Sequence, residues 1–279
     1  MSSYGEEYKA IGHYPKRQTL SNLYSYSNDY NGPRDLKEQV ETLINAFPEL
    51  WEHEPQMFRR GIRRPPTPRL IPKVPNYSLA NAPLPSGAEG YFAIPRWQTI
   101  DESYEGAVQK VFNALKRRTQ GLSSFHDSSL FSHHWSIRSR HTSQKYIDLW
   151  ETVWPSRKSV NFWKKLEARQ EGYDILVVPA QFGFRYRGCS PTLVDDMMKK
   201  NERGLGAFAV GIMLLTHPER LRSYGVLAIQ CPGDEMSGIY PWPKEHLPIF
   251  SFVSDRLTFY CGYRDFEDHR DGAATAFFP

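Results

Sequence analysis

The chain has 279 residues, of which 40% are hydrophobic and 14% aromatic, and its formal net charge is +4. This length and composition predict a globular protein with a substantial core, built as one large domain or two small ones, while 21 prolines place a good part of the chain outside regular elements. The mildly basic balance permits a polyanionic partner but does not demand one.

Three cysteines without close paired spacing argue against a disulfide framework and against a zinc ribbon. The first residues contain no basic segment followed by an apolar one, and the longest apolar block, Leu205 to Leu215, is too short to cross a bilayer. We therefore expect a soluble, cytoplasmic protein without a membrane partner. No cofactor is predicted.

The N-terminal region, residues 1–85, is expected to be irregular apart from one short amphipathic helix from Asp35 to Phe47. Between Glu54 and Pro85 prolines alternate with cations, which predicts an extended arm. Its arginines suit a clamp on phosphates, or they only keep a linker soluble. The candidate anion-binding residues of the arm are Arg59, Arg60, Arg63, Arg64 and Arg69.

Helical periodicity and capping signals organise the next part of the chain. We expect a strand at 90–97, a helix from about Thr99 to Leu115, a helix at 143–153 and a helix at 156–172 that begins at Ser156. The connection at 121–142 is rich in histidine, but its spacing matches no zinc template, so we predict no metal site. Its candidate ligands are His126, Asp127, His133, His134 and His141.

A continuous apolar run at 175–178 predicts a buried strand, followed by aromatic and basic residues that alternate at 182–187. If that stretch is extended, Arg185 and Arg187 share one face. They then grip a phosphate or carboxylate, or they pair with Asp195 and Asp196.

Residues 192–200 are expected to be helical behind Ser190 and Pro191, and Leu205–Leu215 is interpreted as a buried strand. With strands near 226 and 249 and a hairpin that ends near 260, the fold class is α+β, or mixed α/β. Helices pack on one mixed sheet of about five strands. The globular domain covers residues 86–279.

Two sets of side chains are candidates for catalysis. Cys189, just before a predicted helix and beside arginines, is a candidate nucleophile with His217 as its base. Asp234 and Glu235, with help from Asp174 or from the acidic residues between Asp265 and Asp271, are candidate ligands for a divalent ion. An inert cysteine and an ordinary acidic turn remain the alternatives.

The segments from Tyr173 to Gly188 and from Gly204 to Arg220 resemble parts of uncharacterised bacterial proteins known mainly from genome and metagenome sequences. The resemblance covers about the last hundred residues. It implies a bacterial or phage setting and no particular reaction.

Three functions follow as hypotheses. The first is a non-enzymatic binding or assembly protein that engages nucleic acid or an acidic protein surface through its basic arm. The second is a hydrolase or nuclease that depends on Cys189 or on a metal. The third is a structural protein in which the arm clasps a second copy of the chain.

Overall fold

The computed structural model describes residues 24–51, 72–75, 82–120, 153–223, 225–236, 246–253 and 256–279. The helices are α1 (Leu36–Ala46), α2 (Pro48–Trp51), α3 (Trp97–Ile100), α4 (Tyr104–Gln120), α5 (Arg157–Arg169), α6 (Pro191–Met197) and α7 (Ala207–Thr216), with 3-10 turns at Phe184–Tyr186 and Pro218–Leu221. The strands are β1 (Gly90–Pro95), β2 (Val153–Pro155), β3 (Ile175–Gln181), β4 (Glu202–Gly204), β5 (Ala228–Gln230), β6 (Asp234–Met236), β7 (His246–Val253), β8 (Arg256–Tyr263), β9 (Asp271–Ala273) and β10 (Thr275–Phe277).

Side-chain caps start several of these helices where the sequence predicts them. Asp35 accepts a hydrogen bond from Lys37 N at 2.8 Å before α1, and Ser156 accepts one from Ser159 N at 3.2 Å before α5. At α6, Ser190 is the cap and Pro191 occupies the first helical position. The predicted helices near 36, 104, 157 and 191 are confirmed. The His-rich connection and all five candidate arginines of the arm lie outside the described residues. So does the expected helix at 143–153, apart from Val153, which begins β2.

The α+β class is confirmed, but the strands do not form one sheet of about five. In the described residues they form a sheet ordered β1-β3-β10-β4, a β2-β6 pair, and a sheet ordered β8-β7-β5-β9. Strand β3 is buried along its whole length and pairs antiparallel with β1. The expected strands near 226 and 249 and the hairpin belong to the third sheet, so they do not extend the sheet that contains β3.

Helix α7 corrects the interpretation of Leu205–Leu215 as a strand. All ten residues of this helix are buried, so it has no polar face and its sequence lacks the helical alternation of polar and apolar residues. Gly211 allows α4 to approach closely, since a Cβ there would lie 2.7 Å from Val111 Cγ1. The helix is therefore the centre of the core, and α4 packs along it.

The expected extended alternation at 182–187 is also wrong. Gly183 has a φ of 123°, which favours glycine, and the chain turns there into the 3-10 turn at Phe184–Tyr186. A Cβ on Gly183 would lie 2.5 Å from the Gly272 carbonyl oxygen, so β9 runs directly beside this turn. The two arginines consequently do not share the face of a strand.

One continuous apolar cluster includes buried residues of α1, α4, α7, β1 and β3. Helix α1, from the N-terminal region, contributes Leu36, Val40 and Leu43 to that cluster. Every helix in the described part of the chain is too short or too polar to span a lipid bilayer.

Candidate functional site

His217 lies in a buried aromatic pocket, where both of its ring nitrogens already have partners. Its Nε2 accepts a hydrogen bond from the Arg34 N–H at 2.9 Å, so Nδ1 carries the proton and donates to the Met213 carbonyl at 3.1 Å. Burial lowers the pKa of His217 to about 4, and the ring is neutral at pH 7. This histidine joins the segment before α1 to the end of α7.

Cys189 lies elsewhere, partly buried beside a small cluster of Tyr186, Val194 and Ala273. The structure does not join this thiol to the imidazole of His217, whose polar contacts are with Arg34, Thr216 and Met213.

Asp234 is fully buried and caps helix α7 although it lies 27 residues further along the chain than Ala207. The N-cap residue of that helix, Gly206, has no side chain, and Asp234 Oδ2 accepts the Ala207 N–H at 2.7 Å in its place. The Tyr104 hydroxyl lies 2.9 Å from both carboxylate oxygens. Burial raises the pKa of Asp234 to about 7, so much of this carboxyl is protonated near neutral pH.

Glu235 and Asp174 do not join Asp234. Glu235 follows Asp234 on a strand, so its side chain points to the opposite face, where Trp154 Nε1 donates to it at 3.4 Å. Asp174 accepts a hydrogen bond from the Lys73 N–H at 2.8 Å. Within the described segments, no three His, Cys, Asp or Glu side chains gather into a group suited to a metal ion.

Arg185 and Arg187 have local partners. Arg185 Nε lies 3.6 Å from Glu202 Oε1, and the Arg187 guanidinium stacks on the Phe184 ring at 4.5 Å. Asp195 pairs at 3.6 Å with Arg264, a residue that the sequence did not single out. Arg185 therefore pairs with Glu202, and not with Asp195 or Asp196 as the sequence had suggested.

A buried polar cluster, which the sequence did not reveal, fastens the N-terminal segment to the core. The Arg220 guanidinium is fully buried and stacks on the Tyr26 ring, with Cζ 3.7 Å from the centroid. It also donates to the Leu227 carbonyl at 2.9 Å. Glu89 accepts hydrogen bonds from the hydroxyls of Tyr26 and Tyr30, and burial raises the pKa of this carboxyl. These contacts join the segment before α1 to the 3-10 turn at Pro218–Leu221, although Arg220 Nε has no hydrogen-bond partner among the described residues.

A cleft of about 410 Å³ lies where the start of α5 meets the turn at 232–233 and strand β4. We call it the basic cleft. Its walls carry four cations and two carboxylates, together with two serines and the apolar surface of Met198 and Pro232. The lining residues are Ser156, Arg157, Lys158, Ser159, Asp195, Met198, Arg203, Gly204, Pro232, Gly233, Glu235 and Arg264.

The first turn of α5 is electrostatically unusual. Arg157 and Lys158 occupy its first two positions and no acidic residue accompanies them, although a helix N-terminus already carries partial positive charge. Cations placed there cost about 0.3 to 1 kcal/mol each at an exposed position. Both side chains are exposed, and neither makes an ion pair or side-chain hydrogen bond within the described residues. An anion in the cleft would relieve this repulsion.

The two remaining cations are held in place by the chain itself. Arg264 Nη2 donates to the carbonyls of Pro232 at 3.0 Å and Asp234 at 2.9 Å. Arg203 donates to the carbonyls of Glu202 and Lys199. The Ser156 N–H donates to the Gly233 carbonyl at 2.9 Å, which fixes the start of α5 against the turn. These bonds fix Arg264, Arg203 and the start of α5 in place.

Of the predicted site residues only Glu235 lines the basic cleft, where it lies beside Arg264 and Asp195. The signal for this cleft in the sequence is the basic first turn of α5, which contains no acidic residue. Neither a protein-family model nor a curated protein nor a solved structure matches the chain.

Proposed function

We propose that this protein is a non-enzymatic binding protein whose basic cleft engages the phosphates of a nucleic acid. The observation that carries the proposal is that Arg157 and Lys158 at the start of α5 make no ion pair among the described residues and line the same cleft as Arg203 and Arg264. Arginine and lysine are the side chains that contact phosphate oxygens, and helix N-termini add backbone donors. The arginines at 59–69 are a second source of positive charge for the same partner.

Binding of this kind depends steeply on salt, because each neutralised phosphate releases counterions. Three cleft cations that contact a single strand would give a slope of about −2 in a plot of log affinity against log salt concentration. Affinity should then fall about 20-fold between about 50 and about 200 mM salt.

The experiment measures fluorescence anisotropy of a labelled single-stranded oligonucleotide with the full chain. The cleft variant is Arg157→Glu with Lys158→Glu, and its matched control is Lys164→Glu with Lys165→Glu, which reverses two exposed charges further along the same helix. Acidic residues at a helix N-terminus favour the macrodipole, so the cleft variant should fold at least as well as the wild type.

We expect the cleft variant to bind at least about tenfold more weakly than the control, with a shallower dependence on salt. Arg→Ala changes across residues 59–69 should also weaken binding. Equal affinities for the two charge-reversal variants, or affinity that ignores salt, would contradict the proposal. Binding of a labelled acidic peptide, without binding of the oligonucleotide, would show that the partner is an acidic protein.

A further inference from the structure

We propose that this protein forms a homodimer in which strand β8 of one copy pairs antiparallel with strand β8 of a second copy. The third sheets of the two copies, with four strands each, join into one continuous sheet. This interface does not depend on the ligand of the basic cleft, because it is made by the main chain of a strand at the border of the third sheet.

The other border strands of the two four-stranded sheets are short or closed by neighbouring groups. At β1, the Gln39 side chain accepts the Ala93 N–H at 2.9 Å and donates to the Tyr91 carbonyl at 3.0 Å. At β9, the Asp271 carbonyl accepts the Gly188 N–H at 2.8 Å. Strand β4 has only three residues. Proteins shorten or cover their border strands in this way because an unpaired edge is a template for another strand.

Strand β8 is different, since it has eight residues and pairs only with β7 in the described segments. Pro248 directs its carbonyl toward β5, so its neighbour Ile249 directs its main chain toward Tyr260 of β8. By the same alternation, Leu257 and Cys261 direct their N–H and C=O groups away from β7. These outward groups make no hydrogen bond in the part of the chain that the structure describes.

The sequence of β8 lacks the residues that normally protect an open edge. Charged side chains, lysine above all, and proline prevent an edge from pairing with another strand. From Leu257 to Tyr263 the strand reads Leu-Thr-Phe-Tyr-Cys-Gly-Tyr, without a charge or a proline. The Tyr260 side chain is 38% exposed and that of Tyr263 is 58% exposed. The edge therefore combines unpaired main-chain groups with apolar surface that a partner strand can cover.

A second copy of the same strand fits this edge. With Leu257 opposite Cys261 of the second copy, the outward N–H and C=O groups of both residues exchange hydrogen bonds, and the two-fold axis repeats the pair. Tyr260 then lies opposite Thr258 of the second copy, an aromatic and β-branched pair of the kind that stabilises sheets. Arg256 is the only charged residue of the strand and comes first in it, so the two copies of this residue do not meet.

Sedimentation velocity of the full chain over a range of concentrations measures the dimer. The edge variant is Tyr260→Lys, and its matched control is Tyr173→Lys, at a tyrosine of similar exposure, 36%, before β3. The wild type and Tyr173→Lys should dimerise as the concentration rises. Tyr260→Lys should weaken the dimer about tenfold, because it puts a lysine on the edge and removes a cross-strand pair that occurs twice across the axis.

Disulfide cross-linking tests the register of the two strands. Leu257→Cys places a thiol opposite the native Cys261 of the second copy, with the Cα atoms about 5.5 Å apart, within the range that a disulfide spans. Its control is Thr258→Cys, whose side chain points to the other face of the sheet. Leu257 and Thr258 are both only partly buried, so both variants should keep the circular dichroism spectrum of the wild type.

Mild oxidation of Leu257→Cys should give a covalent dimer in which peptide mass spectrometry finds position 257 joined to Cys261, while Thr258→Cys gives no such link. The β8 interface is refuted if the wild type stays monomeric at every concentration, or if oxidised Leu257→Cys contains no link to Cys261. A Tyr260→Lys dimer as stable as that of the wild type would also count against it, since another surface would then hold the two copies together.

Discussion

The stability of Asp234→Asn, measured relative to the wild type, should be higher at neutral pH than at acid pH. The Asp234 carboxyl is fully buried, and burial raises its pKa to about 7, whereas an aspartate in the unfolded chain has a pKa of about 3.9. The folded state therefore holds this proton more tightly than the unfolded state. The contribution of this carboxyl to the free energy of unfolding is fully present below about pH 4 and is lost as the pH rises through about 7.

The magnitude follows from the two pKa values. Between pH 5 and the folded pKa of about 7 there are about two pKa units, and each is worth about 1.4 kcal/mol. The wild type should thus lose about 3 kcal/mol relative to Asp234→Asn between about pH 5 and about pH 8. The asparagine keeps an acceptor for the Ala207 N–H, and its amide group has the Tyr104 hydroxyl as a partner, so the cap on α7 survives.

The assay is urea unfolding followed by tryptophan fluorescence at both pH values. Asp271, whose pKa burial also raises to about 7, and His217, whose pKa burial lowers to about 4, affect both proteins equally and cancel in the difference. Asp196→Asn, at an exposed carboxylate, is the control. A difference between the wild type and Asp234→Asn that stays constant from acid to neutral pH would refute this account of the buried carboxyl.

Two further predictions concern the other buried ionisable groups. Arg220→Met should lower the free energy of unfolding by about 3 to 5 kcal/mol, because it leaves Glu89 buried without a cation, and adding Glu89→Gln should recover part of the loss in urea unfolding. A double variant that is no more stable than the single one would show that lost packing on Tyr26, not charge, dominates. His217→Gln should change the rate of Cys189 alkylation, followed by peptide mass spectrometry, by less than about twofold, because His217 bonds to Arg34 and Met213. A drop of about tenfold would revive the nucleophile and base pair.

Local chemistry explains why the sequence predicts several helices well. Asp35, Ser156 and Ser190 each cap a helix through contacts within a few residues, so the signal is present in the sequence itself. The apolar run that becomes β3 is equally local. The prediction for helix α7 was wrong for the opposite reason. It is apolar on every side, and such a run is compatible with either a helix or a strand until its packing partners are known.

The basic cleft is assembled from positions far apart in the chain. Arg157, Arg203 and Arg264 come from a helix, a strand and a turn, and nothing in their spacing indicates that they meet. The same applies to Asp234, which reads as part of an ordinary acidic turn but caps a helix that begins at Ala207. Long-range packing decides both arrangements.

Strands β9 and β10 lie next to each other in the chain but belong to different sheets. β10 lies between β3 and β4, while β9 pairs with β5 at the border of the third sheet. During translation the ribosome makes β3, β4 and β5 well before either of these segments, so their backbone groups await partners that come later. Such distant pairings close slowly, and the unpaired edges are prone to aggregate in the interval. A nascent chain of this protein should therefore expose unpaired strand edges until β10 is inserted between β3 and β4.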